Sequence, residues 1–372
     1  MSDEILPEAD RLEGAPHPRE TAALFGQQAA EDALLEAIES GRMHHAWLLT
    51  GPKGVGKATL AWRAARFLLA RPVGGQNPLF GDASFVSDLS VAGDHPVSRR
   101  IAAMSEPGLL PIRRPWDADK KRFKTQITVD EVRKLNSFFG LSATDGGFRV
   151  VIVDSADEMN TAAANALLKV LEEPPRNAVL FLVSHRPARL LPTIRSRCRE
   201  LRLSSLEPEP LAQALAQAGM TIEASAELAE LSGGSVGEAL RLSALDGVGL
   251  YTSIVELLSS APRMDRQKAT ALAEHAAQRG AEDRLDLTIR MIDKALARLA
   301  RTGAGHVVDH DVADGETEVL SRLSPNLSKA QAWAELNQVL GQRMAHGRAV
   351  NIDPASLVLD ALLQINETAG QS

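Results

Sequence analysis

HAWLLTGPKGVGKATL, residues 45–60, joins an apolar run to a helical pattern through a glycine-rich turn. A strand, a turn that holds Gly51, Gly54 and Gly56, and a helix that opens at Lys57 are the context that a phosphate-binding loop requires. The glycines let backbone N–H groups point inward at phosphates, and the lysine reaches toward the β and γ positions. This stretch therefore predicts a nucleotide-binding site in an α/β domain.

The two residues after the loop lysine weaken this predicted site. A Ser or Thr hydroxyl normally meets magnesium at the first of them, which here is Ala58. Thr59 carries a hydroxyl and stays among the candidate nucleotide-binding residues, but one step along a helix turns a side chain by about 100°. We therefore expect an ATP site with weakened magnesium coordination.

The second indication of a nucleotide-binding site is a carboxylate at the end of a predicted strand. Asp154 closes an apolar run that starts at Phe148, and another apolar run covers Val179–Ser184. With the strong helical pattern of 161–173 between them, these runs predict buried parallel strands of a doubly wound sheet. Asp154 would then lie beside the phosphate loop and hold magnesium through water, while the alternative is a turn residue at a strand end. Ser155, which follows it, cannot act as a general base.

The remaining pattern divides the chain into three predicted parts. Residues 1–204 form the α/β base domain, in which 1–17 is a polar, disordered lead-in and 71–127 is an insertion. Beyond the base the strand signals vanish, and short helical segments over 205–246 predict a small lid. Longer helices without a catalytic motif over 247–372 predict an all-α interaction domain.

The composition limits the possible functions. No apolar run approaches the roughly 20 residues that a membrane span needs, and the acidic N-terminus argues against a leader, so we expect a cytoplasmic protein. The single cysteine, Cys198, cannot form an internal disulfide or a four-thiolate zinc site. The net charge of -7 repels phosphate, so partners should supply most of any grip on DNA.

One segment departs from this acidic balance. Residues 112–124 carry six cations around Trp116, namely Arg113, Arg114, Lys120, Lys121, Arg122 and Lys124. A solvated loop is the favoured interpretation, and a phosphate-binding patch is the alternative.

Two further motifs resemble those of a known family. NALLKVLEEPP at 165–175 and LPTIRSRC at 191–198 are similar to the signature of bacterial clamp-loader AAA+ subunits, whose hallmark is the Ser-Arg-Cys triplet. Matches at 25–27, 234–235 and 351–354 extend the resemblance over almost the whole chain. It implies an α/β P-loop AAA+ domain with a parallel sheet, a small helical lid and an all-α C-terminal collar domain.

The resemblance also implies roles for two residues. The guanidinium of Arg197 would enter the ATP site of a neighbouring subunit and stabilise charge on the γ phosphate, a task that suits a permanently charged, planar donor. Without the family, Arg195, Arg197 and Arg199 are simply surface charges beside an edge strand. Ser184 resembles a position that contacts phosphate, although a serine at a strand end is usually a turn former.

Three departures separate the chain from the family's motor subunits, gamma and tau. The motors carry a Ser or Thr after the loop lysine, a glutamate after the strand aspartate and an arginine in the lid, where this chain has Ala58, Ser155 and Gly237. The resemblance therefore implies a non-motor, stator-like member with absent or weak ATPase activity. Its implied partners are delta and gamma or tau subunits, and through the complex the sliding clamp and primed DNA.

Two alternatives remain. In an active motor of the gamma/tau type, or of the Holliday-junction helicase type, Lys57 and Asp154 would catalyse hydrolysis in cis. A P-loop kinase or GTPase is the other, but the sequence has no Asn-Lys-x-Asp guanine motif, and the Ser-Arg-Cys triplet has no role in a kinase.

Overall fold

The computed structural model describes residues 7–12, 14–71, 88–140, 147–220, 226–278, 282–306 and 310–371. The chain forms two compact units, Met1–Thr221 with Gly234–Gly237 and Ile222–Gly233 with Glu238–Ser372. All the strands of the described residues lie in the first unit, and the second is helical.

The first unit is built on a five-stranded parallel sheet. The strands of the described residues are β1 (Ala46–Thr50), β2 (Leu109–Arg113), β3 (Trp116–Asp117), β4 (Arg122–Phe123), β5 (Arg149–Asp154), β6 (Ala178–Val183) and β7 (Arg199–Arg202). The sheet has the order β2-β5-β6-β1-β7, and β3 pairs with β4 in a separate antiparallel hairpin. Every residue of β1 and β6 is buried, as expected for central parallel strands covered on both faces.

Helices cover both faces of this sheet. Those of the first unit are α1 (Gln28–Glu39), α2 (Lys57–Ala70), α3 (Pro96–Ala102), α4 (Val129–Gly140), α5 (Thr161–Glu172), α6 (Pro192–Arg195) and α7 (Pro208–Gln217). Leu48, Val151 and Leu180, at alternate positions of the strands, share a core with residues of α4 and α5. Helix α2 also packs against β5 and β6. The carboxyl ends of β1, β5 and β6 therefore meet at one edge, where α/β sheets bind ligands.

The second unit is a set of packed helices. They are α8 (Ala226–Ser232), α9 (Val236–Ala244), α10 (Gly247–Ser259), α11 (Arg266–Ala276), α12 (Glu282–Gly303), α13 (Glu316–Leu323), α14 (Leu327–Ala349) and α15 (Pro354–Gly370). Helix α12 packs with α14, α11 packs with α15, and Tyr251 and Trp333 are fully buried. Among the described residues, no helix combines the length and the apolar character that crossing a membrane takes.

A buried ionic network ties the second unit together. The Glu316 carboxylate is fully buried and accepts hydrogen bonds from Tyr251 Oη at 2.6 Å, Arg298 Nε at 2.7 Å and the Val312 backbone N–H at 2.8 Å. Arg298 also pairs with Glu230, on α8, at 2.5 Å. Buried charges need such partners, because an uncompensated one is costly in a low-dielectric interior.

The two compact units differ from the predicted three-part division at 204 and 246. Helix α7 lies in the first unit, where the Gln217 amide bonds both the backbone N–H and the carbonyl of Ala23. Helix α8 lies in the second unit, held by the Glu230–Arg298 pair. Residues 205–246 are therefore shared between the two units, because different parts of the segment bury their apolar faces in different cores.

Two smaller sequence expectations also differ from the structure. The predicted disordered lead-in over 1–17 does not extend to its described residues 7–12 and 14–17, which form ion pairs with the sheet unit. The predicted insertion over 71–127 contains β2, which is a sheet strand paired with β5 along its whole length. The loop predicted over 71–81 lies outside the described residues from 72 onward.

Candidate nucleotide site and interface arginine

The phosphate loop, residues 51–57, connects β1 to α2 at the carboxyl edge of the sheet. Gly51 has φ of 135°, and a Cβ placed there would lie 2.2 Å from the Leu203 carbonyl oxygen. Gly54 has φ of 82°, and its Cβ would lie 2.4 Å from Ser235 Oγ. Both positions therefore require glycine for backbone conformation and for space. Gly56 directly precedes α2.

Lys57 turns back onto its own loop. Its Nζ donates to the carbonyl oxygen of Gly51 at 2.7 Å and also to that of Pro52, and the residue is 3% exposed. Burial lowers the pKa of Lys57 to about 8, against the opposing effect of the Asp154 carboxylate. The ammonium group is therefore satisfied by loop carbonyls.

The segment Gly234–Gly237 bonds the other side of the loop. Ser235 Oγ donates to the Lys53 carbonyl oxygen at 2.8 Å, and the Gly237 backbone N–H donates to the Gly54 carbonyl oxygen at 3.2 Å. A Cβ on Gly237 would lie 3.1 Å from the Gly54 Cα. The two backbones thus approach closely at the position where the motor members of the resembled family carry the lid arginine.

Asp154 and Ser155 form a polar network at the end of β5. Ser155 Oγ donates to Asp154 Oδ1 at 3.0 Å and lies 3.0 Å from His185 Nε2, and the His185 backbone N–H donates to Asp157 at 2.9 Å. Burial raises the pKa of Asp154 to about 7, and burial, with the nearby Lys57 charge, lowers the pKa of His185 to about 4. The serine therefore links the strand aspartate to a neutral imidazole.

The remaining predicted binding residues flank this network. Ser184 follows β6, and its backbone N–H donates to the Leu49 carbonyl oxygen at 2.9 Å. Its Oγ is buried and has no hydrogen-bond partner in the described part of the chain. Thr59 is half-buried in the first turn of α2. The structure thus gathers the loop, Asp154 and Ser184 at one sheet edge, and their binding of nucleotide stays a prediction.

An acidic segment, which we did not predict from the sequence, lies beside Asp154. Arg113 ends β2 and is the register partner of Asp154, and it pairs with Glu8 at 2.6 Å and Asp10 at 2.5 Å. The buried His17 ring lies 3.2 Å from the same Asp10 carboxylate. Asp10 is close enough to Asp154 to contribute to its raised pKa, after burial itself. The sequence carries no periodic signal for this segment, and its ion pairs join residues that are distant in the chain.

Arg197 lies apart from the phosphate loop, between α6 and β7. Its Nη1 donates to the Thr193 carbonyl oxygen at 3.0 Å, and its Nη2 pairs with Glu172 at 3.0 Å. The side chain is 36% exposed, so the guanidinium also faces solvent. Burial raises the pKa of the neighbouring Cys198 thiol to about 12. Glu172, at the end of α5, is a partner that spacing alone did not reveal.

We expect Asp154→Asn to stabilise the protein more as the pH rises. A carboxyl whose pKa is raised from 3.8 to about 7 stabilises the fold least once it is ionised, so the advantage of the amide should grow between pH 4 and 7 and level off above. Because Asp154 keeps some contact with solvent, the gain should be on the order of 1 to 2 kcal/mol. Thermal unfolding of both proteins at pH 5 and pH 8 measures it, and an equal gain at both would contradict the raised pKa.

The fold and the site together define the class of protein to which this chain belongs. A parallel sheet with β1 between β6 and β7, a glycine-rich loop and lysine after β1, an aspartate at the end of β5, and a further polar residue at the end of β6 together form a P-loop protein of the AAA+ type. Among the described residues, no cluster of three or more His, Cys, Asp or Glu side chains is arranged to hold a metal ion.

Comparisons with known proteins give the family. The family model described as "DNA polymerase III, delta subunit" matches residues 26–207. The chain is 38% identical over 253 residues to the DNA polymerase III subunit delta' of Pseudomonas aeruginosa, covering 66% of this chain and 69% of that protein. It is 32% identical over 337 residues to the delta' subunit of Escherichia coli K12, covering 90% and 92%. The chain therefore belongs to the delta' family of DNA polymerase III subunits.

More distant similarities extend beyond that family. The gamma/tau subunit of Mycobacterium tuberculosis H37Rv is 31% identical over 200 residues, which are 54% of this chain and 31% of that protein. A solved structure of a DNA polymerase III gamma subunit-related protein from Thermotoga maritima aligns with a TM-score of 0.42 and 18% identity, covering 90% of this chain and 99% of that one.

Proposed function

We propose that this chain is the non-motor subunit of a clamp loader, which supports ATP-dependent loading of a sliding clamp onto primed DNA. In this proposal Arg197 acts in trans at the ATP site of a neighbouring gamma or tau subunit. The chain's own loop serves mainly as a structural element. The delta, gamma and tau subunits are the direct partners, and the clamp and DNA are reached through the complex.

One observation carries the proposal, namely that the Lys57 ammonium is bonded to the carbonyl oxygens of its own loop. A phosphate-binding lysine must release these bonds before it can contact a nucleotide, and Ser235 and Gly237 hold the opposite side of the loop. Ala58 supplies no oxygen for magnesium. The residues present therefore fit a magnesium nucleotide poorly.

The same network explains why hydrolysis in cis is not expected. Ser155 occupies the position where a motor places its glutamate, and its hydroxyl is already bonded to Asp154 and His185. A serine hydroxyl does not take a proton from water near neutral pH, and the His185 imidazole lies in a buried site beside the Lys57 charge. Among the described residues, the position after the strand aspartate therefore supplies no base for an attacking water.

Arg197 differs from these site residues because its side chain is partly exposed. Two of its N–H groups bond Thr193 and Glu172, which orient the guanidinium, and the side chain is 36% exposed. A partly exposed arginine held by a carboxylate is available to a phosphate on another subunit, because a planar cation satisfies both partners at once.

The purified chain alone should therefore hydrolyse ATP far more slowly than a motor. Turnover below about 0.01 s⁻¹ is expected in a coupled phosphate-release assay, since the base and the metal ligand are both missing. The same preparation, mixed with delta, gamma or tau and the clamp, should enter a pentamer visible by native mass spectrometry. Turnover near 1 s⁻¹ by the isolated chain would instead favour the alternative, an active motor of the gamma/tau type.

A further inference from the structure

The hairpin of β3 and β4, residues 116–123, projects from the ligand-binding edge of the sheet. It follows β2, whose last residue, Arg113, is the register partner of Asp154. The Lys124 backbone N–H donates to the Pro115 carbonyl oxygen at 2.9 Å and closes the base of the hairpin. The chain then continues to Ile127, which bonds the Glu158 and Asn160 backbones just beyond β5. The base is therefore fixed to the sheet edge.

The six cations of segment 112–124 fall into two groups. At the base, Arg113 pairs with Glu8 and Asp10, and Arg114 pairs with Glu158 at 2.7 Å. These two arginines are neutralised inside the unit. They account for part of the positive charge that the sequence shows, and they hold the hairpin in place.

The other four cations lie at the exposed end. Lys120, Lys121, Arg122 and Lys124 are all exposed, and no carboxylate in the described part of the chain pairs with them. Asp117 accepts a bond from the Lys120 backbone N–H at 3.1 Å, which shapes the turn. The hairpin therefore carries these four exposed cations and only two carboxylates, Asp117 and Asp119. Its local charge is positive although the net charge of the protein is -7.

The aromatic residues of the hairpin stiffen it. Trp116 and Phe123 are directly opposite in the β3–β4 pair, and their rings pack edge to face with centroids 5.0 Å apart. The Arg114 guanidinium lies 5.9 Å from the Phe123 ring. Because the rings pack on each other, the hairpin offers charge to a ligand more than a free aromatic face for stacking bases.

We propose that the tip of this hairpin, formed by Lys120, Lys121, Arg122 and Lys124, contacts the phosphate backbone of the duplex part of DNA held by the assembled loader. The inference rests on the proposed function, because the acidic chain alone has little attraction for DNA. Adjacent exposed cations on a fixed hairpin match the regular phosphates of a duplex and carry no base specificity. Segment 112–124, which the sequence favours as a solvated loop, would then bind the DNA phosphates through its tip.

The test uses the reconstituted loader with the variant K120E/K121E/R122E. Fluorescence anisotropy of a labelled primed duplex, titrated at several salt concentrations, gives the slope of log Kd against log salt. We expect that slope to fall in magnitude by about 2 to 3, and Kd at 0.1 M salt to rise roughly tenfold or more, since each lost phosphate contact removes about 0.9 from the slope. The neutral variant K120Q/K121Q/R122Q should show a smaller change in the same direction.

A matched control reverses three exposed cations elsewhere, in R263E/R266E/K268E, with the same total change in charge. It should leave the slope within about 0.5 of the wild type if the hairpin effect is local. Native mass spectrometry first shows whether the wild type and each variant enter the complex. Failure of the wild type to assemble would refute the proposed function, independently of the hairpin. Unchanged duplex affinity in an assembled hairpin variant, or loss only of single-stranded DNA or clamp binding, would refute the duplex contact.

Discussion

Replacing Arg197 by alanine is expected to lower DNA-stimulated ATP hydrolysis at the neighbouring site by roughly 10³-fold, the effect of removing an arginine finger. The side chain is partly exposed and contacts Thr193 and Glu172 near the surface, so its loss should not disturb the core. Steady-state hydrolysis by a loader that contains the variant measures the effect. Where several sites turn over independently, single-turnover assays resolve the affected one.

A nearby arginine, Arg195, provides a matched control for Arg197. Arg195 is an exposed arginine on the same short segment, and Arg195→Ala removes the same charge two residues away. It should retain ATP hydrolysis within a fewfold of wild type. Equal losses in the two variants would indicate a general charge effect, and full activity of Arg197→Ala in an assembled loader would exclude the trans role.

Glu316→Ala is expected to destabilise the second unit by about 3 to 5 kcal/mol, the usual result of breaking a buried ion pair. The substitution leaves the Arg298 guanidinium, which is 3% exposed, with Glu230 as its remaining carboxylate partner. It also removes the acceptor of the Tyr251 hydroxyl and of the Val312 backbone N–H. Urea unfolding followed by circular dichroism should show an earlier transition for the helical unit.

The control for this prediction lies on the same helix. Glu318 is exposed on α13, and Glu318→Ala should change the free energy of unfolding by less than about 0.5 kcal/mol. Glu316→Gln keeps one oxygen for the Tyr251 hydroxyl and should fall between the two. If Glu316→Ala unfolds like Glu318→Ala, the network contributes little to stability.

The sheet and the phosphate loop were predictable because their signals are local. The fully buried strands β1, β5 and β6 appear in the sequence as short apolar runs, and the glycines of the loop mark a conformation that other residues rarely adopt. Strand β7, over 199–202, was predicted only as an edge strand beside surface arginines, because three exposed charged residues surround a single buried leucine there. An edge strand of this kind has no apolar run to identify it.

The contacts around the site were less predictable because they join residues distant in the chain. Asp10 and Arg113 are about a hundred positions apart, and helix α5 and strand β6 lie between Ser155 and His185. The Asp10–Arg113 pair is brought together only by the fold, and no spacing in the sequence reveals it. The Ser155–His185 contact was accessible in principle, since neighbouring parallel strands end at the same edge.

The close approach of Gly54 and Gly237 limits which residues can stand at position 237. A Cβ there would lie 3.1 Å from the Gly54 Cα, so a larger side chain fits only if the phosphate loop shifts by a few tenths of an ångström. Gly237→Arg alone is therefore not expected to make the chain an active ATPase, because Ala58 and Ser155 would still lack the proposed metal ligand and base.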